Sequence, residues 1–348
     1  MVDSKSKNSA LRIIDASFNR AMEGLRVVEE FTRMHLNDKF LTEETKQLRH
    51  ALADLTSKIG GERLLESRDI LHDVGTEVAV ETEYSRDSLE SVLRANCGRV
   101  LQSLRSMEEY SKLLEPPLGA GFEELRYKTY SLEKAIVGAQ QSRDQIADAA
   151  IYVLVSVGPD FKRFETLVVG LVESGVDFIQ LRDKNLNDRE LVAAGQLISG
   201  YTRSKPTRWI MNDRADLAVI AHADGVHVGQ DDLPVAEARR IVGPEKLIGV
   251  STHDIDQARQ AVLAGASYIG VGPCFQSQTK SFDEFASDQF IQSVANEISL
   301  PAFAIGGINP SNVSNLIELG IKRFAIGRSI TDAESPADAV AAFRQATS

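Results

Sequence analysis

The feature that most constrains the fold is an alternation in the second part of the chain. From Ala149 onward, short apolar runs alternate with longer amphipathic, helix-like segments. Continuous apolar runs indicate strands buried on both faces, as in a parallel sheet. The eight strand-like runs are IYVLVS (151–156), VDFIQLR (176–182), RWIMN (208–212), GVHVG (225–229), LIGVS (247–251), YIGVGP (268–273), PAFAIGG (301–307) and RFAIGRS (323–329).

The number and spacing of these strands match a (β/α)8 TIM barrel, which needs roughly 200 residues or more. A doubly wound open sheet is the alternative, and it would show a glycine-rich turn after its first strand. The turn after IYVLVS is VGPD, which has no GxGxxG pattern. We therefore predict an α/β fold class, with a TIM barrel over residues 141–348.

The first part of the chain has a helical period instead. Apolar residues recur at Ile14, Phe18, Leu25 and Val28, which places them on one helix face. Ser9 is the expected N-cap of this helix. Further helices are predicted near 42–58, 86–113 and 120–142, and DVGTEVAV (73–80) is the one strand-like run. We predict a mainly α-helical domain over residues 1–140, joined to the barrel by the polar segment 137–150, with a partly helical segment as the alternative to a plain linker.

Composition narrows the class of protein. A length of 348 residues suggests about two domains. The net charge of −11 disfavours nucleic acid and anionic membranes as partners. Two distant cysteines, Cys97 and Cys274, form neither a disulfide framework nor a zinc motif. No apolar leader and no run of about 20 apolar residues occurs, so we expect a cytoplasmic protein with reduced thiols.

Polar residues and glycines lie at or just beyond the carboxyl ends of the predicted strands, where a TIM barrel carries its chemistry. They are Gln180, Arg182, Asp183 and Lys184 at the second strand, Asn212 and Asp213 at the third, Asp232 at the fourth, Ser251 at the fifth, Ser277, Gln278, Thr279 and Lys280 at the sixth, Gly307 at the seventh, and Gly327 and Arg328 at the eighth.

The residue types indicate two phosphate sites. Arg182, Lys184 and Lys280 are cations in an acidic chain, which favours an anionic ligand. Asp213 and Asp232 are the hard oxygen ligands that Mg²⁺ prefers beside a phosphate. The glycines of AIGGINPSN allow backbone amides to approach a second phosphate. Two phosphorylated substrates are therefore expected, one of them a diphosphate held with Mg²⁺.

Structural alternatives remain open at each position. The Arg182–Lys184 stretch could be a surface ion-pair loop, and Asp213 could cap the following helix. Asp232 could be a solvated turn residue, and the paired glycines could form a plain turn. His227 and Cys274 are expected to be packed core residues rather than a base and a nucleophile.

These motifs resemble the thiamine-phosphate synthase family over residues 150–345. The resemblance rests on IQLRDKN, MNDRADLA, GVHVGQDDLP, IGVSTH, YIGVGPCFQSQTK and AIGGINPSNV, in the family's order. It implies a transferase that joins hydroxymethylpyrimidine diphosphate to a thiazole phosphate and releases pyrophosphate. It also implies Mg²⁺ on Asp213 and Asp232.

The resemblance assigns the remaining residues as well. Arg182, Lys184 and Lys280 would be catalytic, through the charge they neutralise. The pyrimidine diphosphate would be held by the stretch Gln180, Leu181, Arg182, Asp183 and Lys184 together with Asn212, Ser251 and Lys280. The thiazole phosphate would be held by Ser277, Gln278, Thr279, Gly307, Gly327 and Arg328.

Two further questions stay open at this stage. A thiazole tautomerase or a ligand-binding regulator could share the fold. The helical domain resembles one fused to some of these synthases, and it could be a hydroxymethylpyrimidine phosphate kinase or a scaffold for a homo-oligomer. No P-loop occurs in the chain. The polar stripe of the first helix, from Arg12 to Glu29, also fits a set of ion pairs between helices.

Overall fold

The computed structural model describes residues 3–69, 86–276 and 285–347. It divides into two compact units, residues 1–137 and 138–348. The strand-like run 73–80 and the loop residues Ser277, Gln278, Thr279 and Lys280 lie outside the described residues.

The described part of the first unit is helical, as the apolar period predicts. Helix α1 begins at Ser4, because the Asp3 carboxylate accepts from the Ser6 amide at 2.9 Å. The prediction that Ser9 is the N-cap was wrong, since Asp3 caps the helix more than one turn earlier. The helices are α1 (Ser4–Glu30), followed by a π-helical segment (Phe31–Leu36), α2 (Lys39–Ser57), α3 (Gly61–Glu66), α4 (Leu89–Ser111) and α5 (Pro116–Gln145).

The polar stripe of α1 forms ion pairs with helix α2 and with the residues that follow α3. The buried Asp15 carboxylate binds the Arg68 guanidinium through two hydrogen bonds of 2.6 and 3.0 Å. The buried Glu29 carboxylate accepts from Arg49 at 3.1 Å. Each buried charge thus has a partner, as burial of a carboxylate requires.

The second unit is a closed parallel barrel in which each strand pairs with the next and β8 pairs with β1. All eight predicted runs form strands. They are β1 (Ile151–Val155), β2 (Phe178–Leu181), β3 (Arg208–Asn212), β4 (Gly225–Val228), β5 (Leu247–Thr252), β6 (Tyr268–Val271), β7 (Ala302–Ile305) and β8 (Phe324–Ile326).

Helices lie between the strands and after the last one. They are α6 (Phe161–Glu173), α7 (Asp188–Thr202), α8 (Ala215–Ile220), α9 (Val235–Val242), α10 (Ile255–Ala264), α11 (Asp288–Glu297), α12 (Val313–Glu318), α13 (Arg328–Thr331) and α14 (Pro336–Thr347). No helix among the described residues is long and apolar enough to cross a membrane.

The barrel interior is packed in layers. The lower layer contains Tyr152, Phe178, Tyr268 and Phe303, whose ring centroids lie 5.2–6.1 Å apart. Side chains alternate along a strand, so residues two positions further on also face the interior. This alternation places Gln180 and His227 above the aromatic layer, toward the carboxyl ends of the strands.

Candidate active site

Asp213 lies where β3 ends, and its backbone is in the left-handed region with φ of 59°. Its amide donates to the carbonyl of His227 on β4 at 2.8 Å. Helix α8 has Arg214 at its N-cap position and no side-chain cap. The alternative that Asp213 caps this helix was therefore wrong, and its carboxylate is available for another role.

The Asp213 carboxylate lies close to the carboxylate of Asp232. Burial and this second acidic group raise the pKa of Asp213 to about 6, although the charges of Lys184 and Arg182 act in the opposite direction. One Asp232 oxygen, Oδ2, accepts from the Gly229 amide at 2.7 Å. Asp232 thus shapes the turn after β4 with one oxygen, which leaves its second oxygen for a ligand.

This pair of carboxylates fits a divalent cation. Because burial and Asp232 raise the pKa of Asp213, a positive charge beside the pair is needed for Asp213 to be ionised there. Mg²⁺ is commonly bound by one or two carboxylates, with phosphate oxygens and water completing its coordination. In the described part of the chain, no group of three or more His, Cys, Asp or Glu side chains gathers as a metal site. The chemistry of the donor set therefore suits Mg²⁺ held jointly with a phosphorylated ligand.

Two cations lie beside the carboxylates, at the end of β2. Arg182 is half-buried and Lys184 is exposed. Neither side chain forms an ion pair within 4.0 Å with any carboxylate in residues 3–69, 86–276 or 285–347. Their positive charge is therefore available to an anion at the barrel mouth, and the ion-pair-loop alternative finds no support there.

Two other residues of the 180–184 stretch, Leu181 and Asp183, make contacts within the protein. Asp183 accepts from the Val157 amide at 3.1 Å through one oxygen and from the Asn185 amide at 2.9 Å through the other. The Leu181 side chain is fully buried and faces away from the barrel interior, because Gln180 beside it faces inward. Their assignment as substrate contacts stays a prediction.

A chain of hydrogen bonds crosses the barrel interior between five strands. Gln180 Nε2 donates to the Tyr152 hydroxyl at 2.7 Å, and the hydroxyls of Tyr152 and Tyr268 lie 2.9 Å apart. His227 Nδ1 lies 3.2 Å from the Tyr268 hydroxyl, and His227 Nε2 lies 2.9 Å from Ser251 Oγ. We call these five side chains the interior relay.

The interior relay combines predicted and missed residues. His227 is 7% exposed, as predicted for a core histidine, and burial lowers its pKa to about 4. Sequence reasoning missed Tyr152 and Tyr268. Their inward position in strands β1 and β6 was the available signal, because Tyr152 and Gln180 share the parity that faces the interior.

The loop after β7 is glycine-rich and braced by amide side chains. Gly306 and Gly307 have φ of 101° and 64°. A Cβ on Gly307 would lie 2.8 Å from the Phe275 carbonyl oxygen, so a side chain has no room there. Asn312 Nδ2 donates to the Gly307 carbonyl at 3.0 Å, and its Oδ1 accepts from the Asn309 amide at 2.8 Å.

The end of β8 lies beside this loop. Ser329 Oγ donates to the Ile308 carbonyl at 2.6 Å, which ties the two loops together. Gly327 precedes α13, and the exposed Arg328 side chain lies 3.9 Å from that of Asp332, the residue that follows the helix. Sequence reasoning missed the bracing roles of Asn309, Asn312 and Ser329, although the INPSN pattern carried the first two.

Further contacts join the ends of β4, β5 and β6. Gln230 Nε2 donates to the Ser251 carbonyl at 2.6 Å, and His253 Nδ1 lies 2.6 Å from the Gly272 carbonyl. Cys274 is buried, and burial raises the pKa of its thiol to about 12. A thiol of that kind is a poor nucleophile, in agreement with its predicted packing role.

The fold and the site define a class of protein. It is a TIM-barrel enzyme with two cations beside paired carboxylates at the carboxyl ends of its strands, and with a glycine-rich loop after β7. The family model described as thiamine monophosphate synthase matches residues 151–330. A second family model, described as the ThiD2 family, matches residues 12–135.

Similar proteins support the same family over nearly the whole chain. The thiamine-phosphate synthase of Rhodopirellula baltica is 43% identical over 335 residues, which cover 94% of this chain and 89% of the relative. That of Synechocystis is 38% identical and covers 97% of this chain and 96% of the relative. A solved thiamine phosphate pyrophosphorylase from Pyrococcus furiosus has a TM-score of 0.51 at 26% identity, and covers 59% of this chain and 96% of its own.

This chain belongs to the thiamine-phosphate synthase family and is a transferase of thiamine biosynthesis. The resemblance drawn from the sequence motifs is thereby confirmed. The predicted TIM barrel after a helical region is confirmed as well.

Proposed function

We propose that this chain joins hydroxymethylpyrimidine diphosphate to a thiazole phosphate, forming thiamine phosphate and pyrophosphate. The proposal rests mainly on the arrangement at the barrel mouth, where Arg182 and Lys184 lie beside the Asp213–Asp232 pair. A monophosphate alone would not need that many charged groups, whereas a departing diphosphate would.

The reaction needs charge stabilisation and positioning. The bond between the pyrimidine methylene carbon and the diphosphate oxygen breaks, and its electron pair leaves with pyrophosphate. The thiazole nitrogen then gives its lone pair to that carbon and forms the new C–N bond. No proton moves in either step, so no general base is required. Arg182, Lys184 and Lys280 neutralise the charge that pyrophosphate gains as it leaves.

A bound Mg²⁺ would add to this neutralisation, with Asp213 and Asp232 as its protein ligands. In the proposal, Gln180 and Ser251 meet the pyrimidine ring, and Asn212 meets the diphosphate. The thiazole phosphate lies at the β7 and β8 loops, near Gly307 and Gly327, and is completed by Ser277, Gln278 and Thr279. Holding both substrates in one mouth converts a bimolecular reaction into an effectively unimolecular one.

The helical unit has two candidate roles. Its match to a family model of its own favours a separate module with its own activity, and we propose phosphorylation of hydroxymethylpyrimidine monophosphate as that activity. The alternative is a scaffolding role, which agrees with the ion pairs that occupy Asp15 and Glu29.

The test is thiamine phosphate formation by the purified full-length protein with thiazole phosphate and Mg²⁺. One mixture contains hydroxymethylpyrimidine diphosphate, and the other contains the monophosphate with ATP. Product in the first mixture, abolished by a chelator, is expected for the synthase. Product in the second mixture supports the kinase. An Asp213→Ala variant, purified in the same way, should then still convert the monophosphate to the diphosphate. An inactive first mixture would overturn the proposal.

A further inference from the structure

The interior relay has a direction that follows from the chemistry of its members. The Gln180 amide nitrogen can only donate, so the Tyr152 oxygen accepts from it. Tyr152 must then give its own hydrogen to Tyr268, its other partner among the described residues. Each following link is decided by the one before it.

The same reasoning continues to the mouth of the barrel. Tyr268 accepts from Tyr152 and therefore donates to His227 Nδ1. The neutral imidazole with a bare Nδ1 carries its hydrogen on Nε2, and this hydrogen points at Ser251 Oγ. Ser251 accepts it, so the serine hydroxyl hydrogen remains for a group outside the relay.

We propose that Tyr152, Tyr268 and His227 are positioning residues whose hydrogen-bond chain fixes how Gln180 and Ser251 meet the pyrimidine substrate. Gln180 is held with Oε1 as a free acceptor, and Ser251 is held with its hydroxyl as a free donor. An aminopyrimidine presents the complementary groups, an amine that donates and a ring nitrogen that accepts. This inference rests on the proposed function.

The surrounding sequence preserves space for the relay. A Cβ on Gly249 would overlap the Tyr268 ring and His227 Nδ1, so only glycine lets these two groups meet. A buried polar network is favourable only when every member has its partner, and apolar residues would fill the same space with less risk. The polar side chains of the interior relay therefore indicate a role for its two end residues, Gln180 and Ser251.

If one hydrogen bond of the interior relay is removed, the order of donors and acceptors is no longer fixed. If the order of donors were reversed, His227 would carry its hydrogen on Nδ1, and the Gln180 amide would have to turn over to accept. Gln180 would then present a donor where the substrate also has a donor. Removal of one central hydroxyl leaves both orientations accessible at each end, so only part of the protein is competent to bind.

The experiment compares Tyr268→Phe with Phe303→Leu in the full-length protein. The first variant keeps the ring and removes the link. The second changes the same aromatic layer without touching a relay hydrogen bond. For Tyr268→Phe we expect kcat/KM for the pyrimidine diphosphate to fall about tenfold, the effect of roughly one hydrogen bond. The KM for thiazole phosphate should change less than about twofold, and Phe303→Leu should leave both KM values near wild type.

Nitrogen-15 NMR of the histidine rings reports the tautomer of His227, which would not change if Tyr268 had only a packing role. His227, assigned by its loss in His227→Gln, should be the neutral Nε2–H tautomer in wild type and a mixture of tautomers in Tyr268→Phe. An Nδ1–H tautomer in the wild type would overturn the proposal. Equal kinetic losses in Tyr268→Phe and Phe303→Leu would overturn it too. An inactive wild type with the expected tautomer would instead overturn the proposed function.

Discussion

At Asp213 the backbone and the charge make separate demands on one residue. The left-handed φ of 59° is tolerated by aspartate and asparagine more readily than by most other side chains. The carboxylate stands beside Asp232, within the influence of Arg182 and Lys184. Asparagine satisfies the first demand only, and alanine satisfies neither, so two substitutions can separate conformation from chemistry.

We expect Asp213→Asn to lower kcat/KM by about a hundredfold or more, because a charge that supports the transition state is lost. Its thermal midpoint at neutral pH should be at or above that of the wild type, because asparagine removes the charge that burial and Asp232 disfavour. Asp213→Ala should lose the same activity and be about 1 kcal/mol less stable than Asp213→Asn, since alanine disfavours a positive φ. Steady-state kinetics and thermal unfolding check both values, and an active Asp213→Asn would remove Asp213 from the metal site.

The pKa of Asp213 gives a second prediction at this scale. Its folded-state pKa of about 6 lies above the ordinary value. The stability that protonated Asp213 contributes is therefore present at low pH and is lost as the pH rises through about 6. Asp232→Asn should lower the pKa of Asp213 and reduce this loss. Carbon-13 NMR of the aspartate carboxyls in chelator measures the shift, and an unchanged titration would show that Asp232 is not its cause.

At the scale of elements, the strands were predictable and their cross-strand partners were not. Each strand is a local apolar run, so its position can be read directly from neighbouring residues. The contact between Tyr152 and Tyr268 joins residues 116 positions apart and depends on barrel register. The Ser9 error has a different origin, because Asp3 and Ser9 are both good caps and only the structure shows which one meets a free amide.

The loop after β7 carries the prediction for an element. Asn312 holds both the Gly307 carbonyl and the Asn309 amide. Asn312→Ala should raise the KM for thiazole phosphate about tenfold, because the loop loses two hydrogen bonds that set its shape. The KM for the pyrimidine diphosphate should stay within about twofold of wild type.

The matched control for this loop is Ser314→Ala, an exposed position in the adjoining helix α12. It should leave both KM values unchanged. If Asn312→Ala raises the two KM values equally, the β7 loop does not belong to the thiazole phosphate site alone.

At the scale of the whole molecule, the chain contains two units that match two different family models. The hydrophobic pattern of the sequence distinguishes the two units, because a helical period changes to alternating strands and helices near residue 150. The proposed contacts for both substrates lie in the second unit, whereas the similar synthases share the first unit as well. The synthase chemistry and the purpose of the helical unit are therefore separate questions.

Expression of residues 138–348 alone answers the first question. This segment contains all eight strands of the closed barrel, and Ile146, which packs in its core, is retained. We expect it to fold and to form thiamine phosphate from the pyrimidine diphosphate with kcat within about twofold of the full chain, since electrostatic preorganisation depends on groups at the site itself. Circular dichroism establishes folding and steady-state kinetics establishes kcat. A folded but inactive barrel would contradict this expectation, because the helical unit would then have to contribute to the synthase site.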